Sequence, residues 1–208
     1  MPMRLALLTM VLAGLAGAHR LDEYLQATLI GVTPSCIDVE IQLTPGVAIL
    51  QAWMRAIDQD HDGRISPQEE RAYVERVTRE VDLRVDGVPA PLAVVESEFP
   101  TLDAMRDGLG TIVIKLRAAR RGHELRFENR HLPQVSAYLV NCLADPSDDL
   151  VVGRPRRDEA QRSIEFEYSF GAAPGSRPAL APFWPALMGI PLAIRMALLL
   201  YRREWSRL

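Results

Sequence analysis

One run of twelve residues, 58–69, constrains this chain more than any other. Asp58, Asp60 and Asp62 alternate with Gln59 and His61, Gly63 follows, and Glu69 closes the run. Four carboxylates so close together repel one another unless a cation sits among them. Their spacing sets hard oxygen donors at positions 1, 3, 5 and 12 of a loop, with glycine at position 6, where the chain must turn sharply. Arg64 adds a backbone carbonyl at position 7, and Ser66 occupies position 9, which commonly acts through water. This is the pattern of a calcium-binding EF-hand, with Asp58, Asp60, Asp62, Arg64, Ser66 and Glu69 as the expected ligands of Ca2+. Ile65 should point inward and tether the loop.

Such a loop needs a helix on either side. Ser66-Pro67-Gln68-Glu69 is a capping box with Pro at the first helical position. A helix is therefore expected from residue 67 to about 81, with Tyr73, Val77 and Val81 on one side. Upstream, Thr44-Pro45 reads as an N-cap and first turn, and Ile49, Leu50, Trp53, Met54 and Ile57 then recur at helical spacing. Sensor EF-hands come in pairs, and this chain has a single loop, so the ion is expected to hold structure. Extracytoplasmic sites of this kind bind with affinities of about 10⁻⁴–10⁻³ M.

Elsewhere the period is two. Ile37, Val39, Ile41 and Leu43 alternate with Asp38, Glu40 and Gln42, and Thr33-Pro34-Ser35 turns a preceding strand over residues 24–32 into this one. Asp86-Gly87 between residues 83–85 and 88–95 is a hairpin signal. Ile112, Ile114 and Leu116 alternate with Val113, Lys115 and Arg117, and Leu125 and Phe127, like Ile164, Phe166, Tyr168 and Phe170, alternate with polar neighbours. Residues 137–143 read as a buried strand. The expected fold is mainly β: an antiparallel β-sandwich over residues 19–171 with the helix-loop-helix inserted at 45–81.

The ends read differently. Met1-Pro2-Met3-Arg4, an apolar run over residues 5–15 and Ala16-Gly17-Ala18 form a signal peptide of residues 1–18, cut before His19. The other reading is an N-terminal membrane anchor, for which the run is short. Residues 172–178, rich in Gly, Pro and Ser, form a linker. Residues 179–208 hold an apolar stretch followed by Arg202 and Arg203, suited to one membrane span with a cytoplasmic end, or to an interfacial helix or docked tail. Pro182, Pro185, Pro191 and Arg195 weigh against the span, although Arg195 near its inner end can snorkel. The chain is thus expected on the periplasmic side of a bacterial inner membrane. There Cys36 and Cys142 meet an oxidising space and are candidates for a disulfide.

A formal net charge of −3 argues against nucleic acid as a partner. No zinc-protease helix, Gly-x-Ser-x-Gly elbow or phosphate loop occurs, so no enzyme is expected. After cleavage, His19 would present its α-amino group and Nδ1 together, a chelate suited to Cu(II) or Ni(II), with His131 or His123 as a third ligand. These two cannot both serve from one straight strand, since eight residues span roughly 26 Å. The bland alternative is that His19 only marks the cut and His131 is a satisfied loop residue.

Taken together, His19-Arg20-Leu21, the β-rich body, the EF-hand after the second strand and Phe127-Glu128-Asn129-Arg130-His131 resemble one bacterial group. It is the exported N-terminal region found ahead of nickel/cobalt-type permeases of the HupE/UreJ kind, and in related exported proteins. The resemblance covers residues 19–170, and only the EF-hand in it is a specific motif. It implies an accessory or interaction module near membrane metal transport, with a separate permease as partner, because one candidate span cannot form a transport path. No catalytic residue carries over. The alternative function is a Cu/Ni-binding protein that uses His19.

Overall fold

The computed structural model describes residues 22–143 and 150–171. The signal peptide, His19, the linker and the tail lie outside these residues. Among the described residues, no helix is long and apolar enough to cross a membrane.

The chain is mainly β, as its alternation predicts. Strands β1 (Tyr24–Val32) and β2 (Cys36–Pro45) form a hairpin in continuous antiparallel register, from Tyr24 opposite Pro45 to Val32 opposite Ile37. Two helices follow, α1 (Leu50–Ile57) and α2 (Pro67–Arg79). Next come β3 (Val81–Val85), β4 (Val88–Pro89), β5 (Ala93–Glu98), the short helix α3 (Leu102–Arg106), β6 (Ile112–Ala119) and β7 (Glu124–Asn129). Strands β8 (Ser136–Leu143), β9 (Leu150–Val152), β10 (Arg156–Arg157) and β11 (Ser163–Phe170) complete the described part.

These strands make two sheets. The first runs β5-β6-β2-β1-β8, and the second β10-β11-β7-β3-β4 with β9 also on β11. Helices α1 and α2 connect β2 of the first sheet to β3 of the second. Ile30, Ile41 and Ile114 of the first sheet, Leu83, Phe127 and Ile164 of the second, and Trp53 and Val77 of the helices all join one buried cluster. Each such side chain, fully withdrawn from water, contributes about 1.5–3 kcal/mol before entropy is counted. Asp86 and Gly87 both have positive φ (49° and 75°), which is how a two-residue hairpin turn matches strand twist.

Several expectations need correction. Thr44 and Pro45 do not start a helix. They extend β2, paired with Leu25 and Tyr24, and Thr44 Oγ1 meets Thr111 Oγ1 at 2.8 Å. Pro is tolerated there because a strand end makes no demand on its missing N–H, and α1 begins only at Leu50. Helix α2 stops at Arg79, and Val81 opens β3 opposite Asn129. Residues 88–95 are not one strand. After β4 the chain leaves the second sheet at Pro89 and joins the first at Ala93, beside Arg117 of β6. Pro89 and Pro91 cannot donate to a ladder, which favours a break here.

The strand over residues 137–143 is not a buried one. In β8 only Val140 is buried, because the strand lies at the sheet edge. It also pairs with β1 in parallel, Thr28 beside Val140, whereas all other described pairings are antiparallel. A parallel pair needs a long connection, here supplied by everything between β1 and β8.

Candidate metal centre

The loop between α1 and α2 is organised by its own carboxylates. Asp58, 7 % exposed, takes one N–H on each oxygen, from Asp62 (3.2 Å) and Gly63 (3.0 Å). The Asp62 N–H is shared with Asp60, also at 3.2 Å, and Asp62 accepts from the Arg64 N–H at 2.8 Å. Gly63 turns the chain at φ 78°, and exposed His61 at φ 60°. A short acidic stretch adopts such values because side-chain oxygens substitute for absent ladder partners.

Glu69 reaches back across the loop. Oε1 accepts from the Gln59 N–H at 2.6 Å, and Oε2 from the Ser66 N–H at 2.8 Å and the Ser66 hydroxyl at 2.9 Å. The Glu69 N–H donates to Ser66 Oγ in return, completing the capping box. The backbone N–H of Ser66, then that of Gln59, holds the Glu69 carboxyl below the ordinary carboxylate range. Carboxylate oxygens of Asp58, Asp60 and Glu69 lie within 4.8 Å of one another. The Asp62 carboxylate is not part of that cluster, and half-buried Ile65 packs on the core; Arg64 and Ser66 stand in the same loop. An open groove of about 490 Å³ adjoins the loop, lined by Val47, Leu50, Met54, Arg55, Asp58 and Arg106.

The donor set is chemically uniform. It consists of anionic oxygens with no thiol or imidazole among them, which suits a hard cation such as calcium or magnesium and disfavours copper or nickel.

The histidines are placed otherwise. His131 is fully buried beyond β7, and both ring nitrogens are engaged: Nε2 with the Tyr73 hydroxyl at 2.9 Å and Nδ1 with Glu80 Oε2 at 2.5 Å. A copper or nickel ion here would have to break one of these bonds. His123 lies in an exposed turn, its N–H donating to Asp86 at 2.9 Å.

Around His131 is a polar network that the sequence reading missed. Its carbonyl accepts from Gln26 Nε2 (2.7 Å) and the Tyr138 hydroxyl (2.6 Å), and its N–H donates to Asn129 Oδ1 (2.9 Å). Asn129 Nδ2 donates to Gln26 Oε1 at 2.9 Å. Tyr73 also accepts from the Trp53 indole N–H (3.2 Å) and contacts the Tyr24 hydroxyl (2.5 Å). Burial raises the Tyr73 hydroxyl to about 12. The available signal was parity: Gln26 and Thr28 share the inward face of β1 with Tyr24 and Ile30. Polar groups at core positions demand partners.

The disulfide expectation is also corrected. Cys36 and Cys142 are free thiols. Cys36 alternates with fully buried Ile37 and so faces outward, whereas Cys142 sits beside Ile30 and packs on the core. They lie on opposite faces of one sheet with β1 between their strands, which a bond requiring Cα atoms within about 7 Å cannot bridge. Burial pushes the Cys142 thiol up to about 12, which disfavours the reactive thiolate.

Comparison with protein-family models, with curated proteins and with solved structures returns no match for this chain.

Proposed function

We propose that this protein is an exported, calcium-binding module whose single EF-hand loop braces a β-sandwich. The observation that carries the reading is the convergence of Asp58, Asp60 and Glu69, three residues up to eleven positions apart, at one point of a loop with every EF-hand residue in register. Asp58, Asp60, Asp62 and Glu69 would hold the ion with carboxylate oxygens, Arg64 with its carbonyl and Ser66 through water. Calcium would supply charge neutralisation: it relieves the repulsion within the loop and ties α1 to α2. The two sheets and their common buried cluster support the sandwich. The pattern of residues 1–18 supports export, and that of residues 179–201 an anchor in the inner membrane.

Its resemblance to regions ahead of nickel/cobalt-type permeases supports an accessory or interaction role beside a membrane metal transporter. Calcium in this role is structural, since a lone loop has no partner loop with which to open a signalling surface.

Calorimetry tests the core of this reading. One calcium should bind per chain, and Asp58→Ala and Glu69→Gln should each abolish the heat. Unchanged binding in both variants would refute the loop as the site.

A further inference from the structure

With His131 neutral, as its burial favours, the hydrogen bonds around Tyr73 admit one direction only. Among the described residues, the Trp53 indole can only donate, so Tyr73 Oη accepts from it at 3.2 Å. The Glu80 carboxylate can only accept, so His131 Nδ1 donates to it at 2.5 Å. A neutral imidazole with its proton on Nδ1 carries a lone pair on Nε2, which takes the Tyr73 proton at 2.9 Å. Tyr73 then has no proton left for Tyr24, so Tyr24 is the donor in their 2.5 Å contact. Tyr24 and His131 are fully buried, Trp53 and Tyr73 are 5 % and 4 % exposed, and each hydroxyl and ring N–H is used.

This chain touches both helices that frame the loop. Trp53 lies on α1 five residues before Asp58, and Tyr73 lies on α2 one turn beyond Glu69. Tyr24 belongs to β1, and His131 is held through its own backbone by Gln26, Asn129 and Tyr138 of three different strands. Glu80, the cap of α2, closes the chain and is steadied by Arg76 at 3.2 Å. A helix packed by apolar contacts alone can rotate or slide slightly at low cost, whereas directional buried bonds fix both.

We propose that Tyr73 and His131 are positioning residues for the loop: their one-way hydrogen-bond chain sets the rotation of α2 and thereby the place of the Glu69 carboxylate. The inference rests on the loop being the calcium site. Neither residue touches the loop carboxylates, and both act through α2.

Calcium titration of the protein, carried out well below each variant's melting temperature, tests it against a matched control. Val77, fully buried on the same helix, makes only apolar contacts there. Tyr73→Phe should weaken calcium about fivefold or more, the usual size of a coupling between sites. Val77→Ala, destabilised by a comparable amount, should bind with unchanged affinity. Nitrogen NMR at pH 7 should show His131 neutral with its proton on Nδ1.

Equal loss of affinity in both variants, no loss in Tyr73→Phe, or an Nε2-protonated ring would overturn the inference. If Tyr73→Phe does not fold, Glu80→Gln at the half-exposed end of the chain replaces it and should weaken calcium by a smaller factor; no change would count against the inference. Wild-type protein that binds no calcium overturns the loop assignment as well, which separates the two failures.

Discussion

Helix α2 has two polar ends built on opposite principles. At its N-terminus Glu69, Ser66 and the aspartates are served by backbone N–H groups of their own dozen residues. From its middle to its C-cap, Tyr73 and Glu80 meet Tyr24, Trp53 and His131, side chains 20 to 58 positions away from Tyr73 in sequence. The first end is a local device with its anionic oxygens gathered near the surface. The second is buried everywhere except at Glu80, each donor already matched to an acceptor. The difference teaches that a surface loop built from its own backbone can lose one side-chain partner at little cost to the fold, whereas a buried network of distant partners cannot.

The largest test of this contrast is His131→Ala. It removes two buried bonds, leaves the Tyr73 hydroxyl without its acceptor and opens a cavity, so it should cost about 3 kcal/mol or more in urea unfolding. A loss below about 1 kcal/mol would mean that the network is not closed. Next in size, saturating calcium should stabilise the wild-type protein by about 2.7 kcal/mol at a hundredfold excess over Kd, and Glu69→Gln should erase that gain. The contrast would break if Glu69→Gln unfolded the calcium-free protein as severely as His131→Ala.

Acid should separate the ends as well. Burial lowers the affinity of His131 for a proton, against the pull of Glu80, so its native pKa lies below the ordinary histidine value. The stability it contributes is complete above about pH 6.5 and is lost as pH falls from there toward the depressed value. Burial raises Glu80, but the His131 and Arg76 hydrogen bonds and charges together outweigh it and lower the carboxyl. Its contribution, like that of Glu69, persists above the ordinary carboxylate range and disappears as pH falls through the lowered value. Unfolding midpoints should therefore begin to decline near pH 6.5 in wild-type protein and only near pH 4.5 in His131→Gln. Identical profiles would remove the network from the account.

Smaller effects sharpen the local end. Ser66→Ala removes the cap and one bond to Glu69 and should cost about 1 kcal/mol in calcium-free thermal melts. Glu75→Ala breaks only the exposed 3.7 Å pair with Arg79 and should change stability by less than about 0.5 kcal/mol.

What the sequence determined by itself was whatever its neighbours in the chain suffice to build. The loop was legible because its carboxylates, its glycine and its capping box lie within twelve residues, where backbone geometry alone brings them together. The strands of the alternating segments and the Asp86-Gly87 turn were legible because period and turn chemistry act over a few positions. Only the tertiary structure decided that Pro45 ends a strand, that the chain changes sheets between Pro89 and Ala93, and that β8 runs parallel to β1. It alone put Cys36 and Cys142 on opposite faces and enclosed His131 between Tyr73 and Glu80. The physical reason is that these outcomes depend on which distant surfaces are buried together. A thiol, an imidazole or a Thr-Pro pair carries the same local chemistry whichever neighbour that burial supplies.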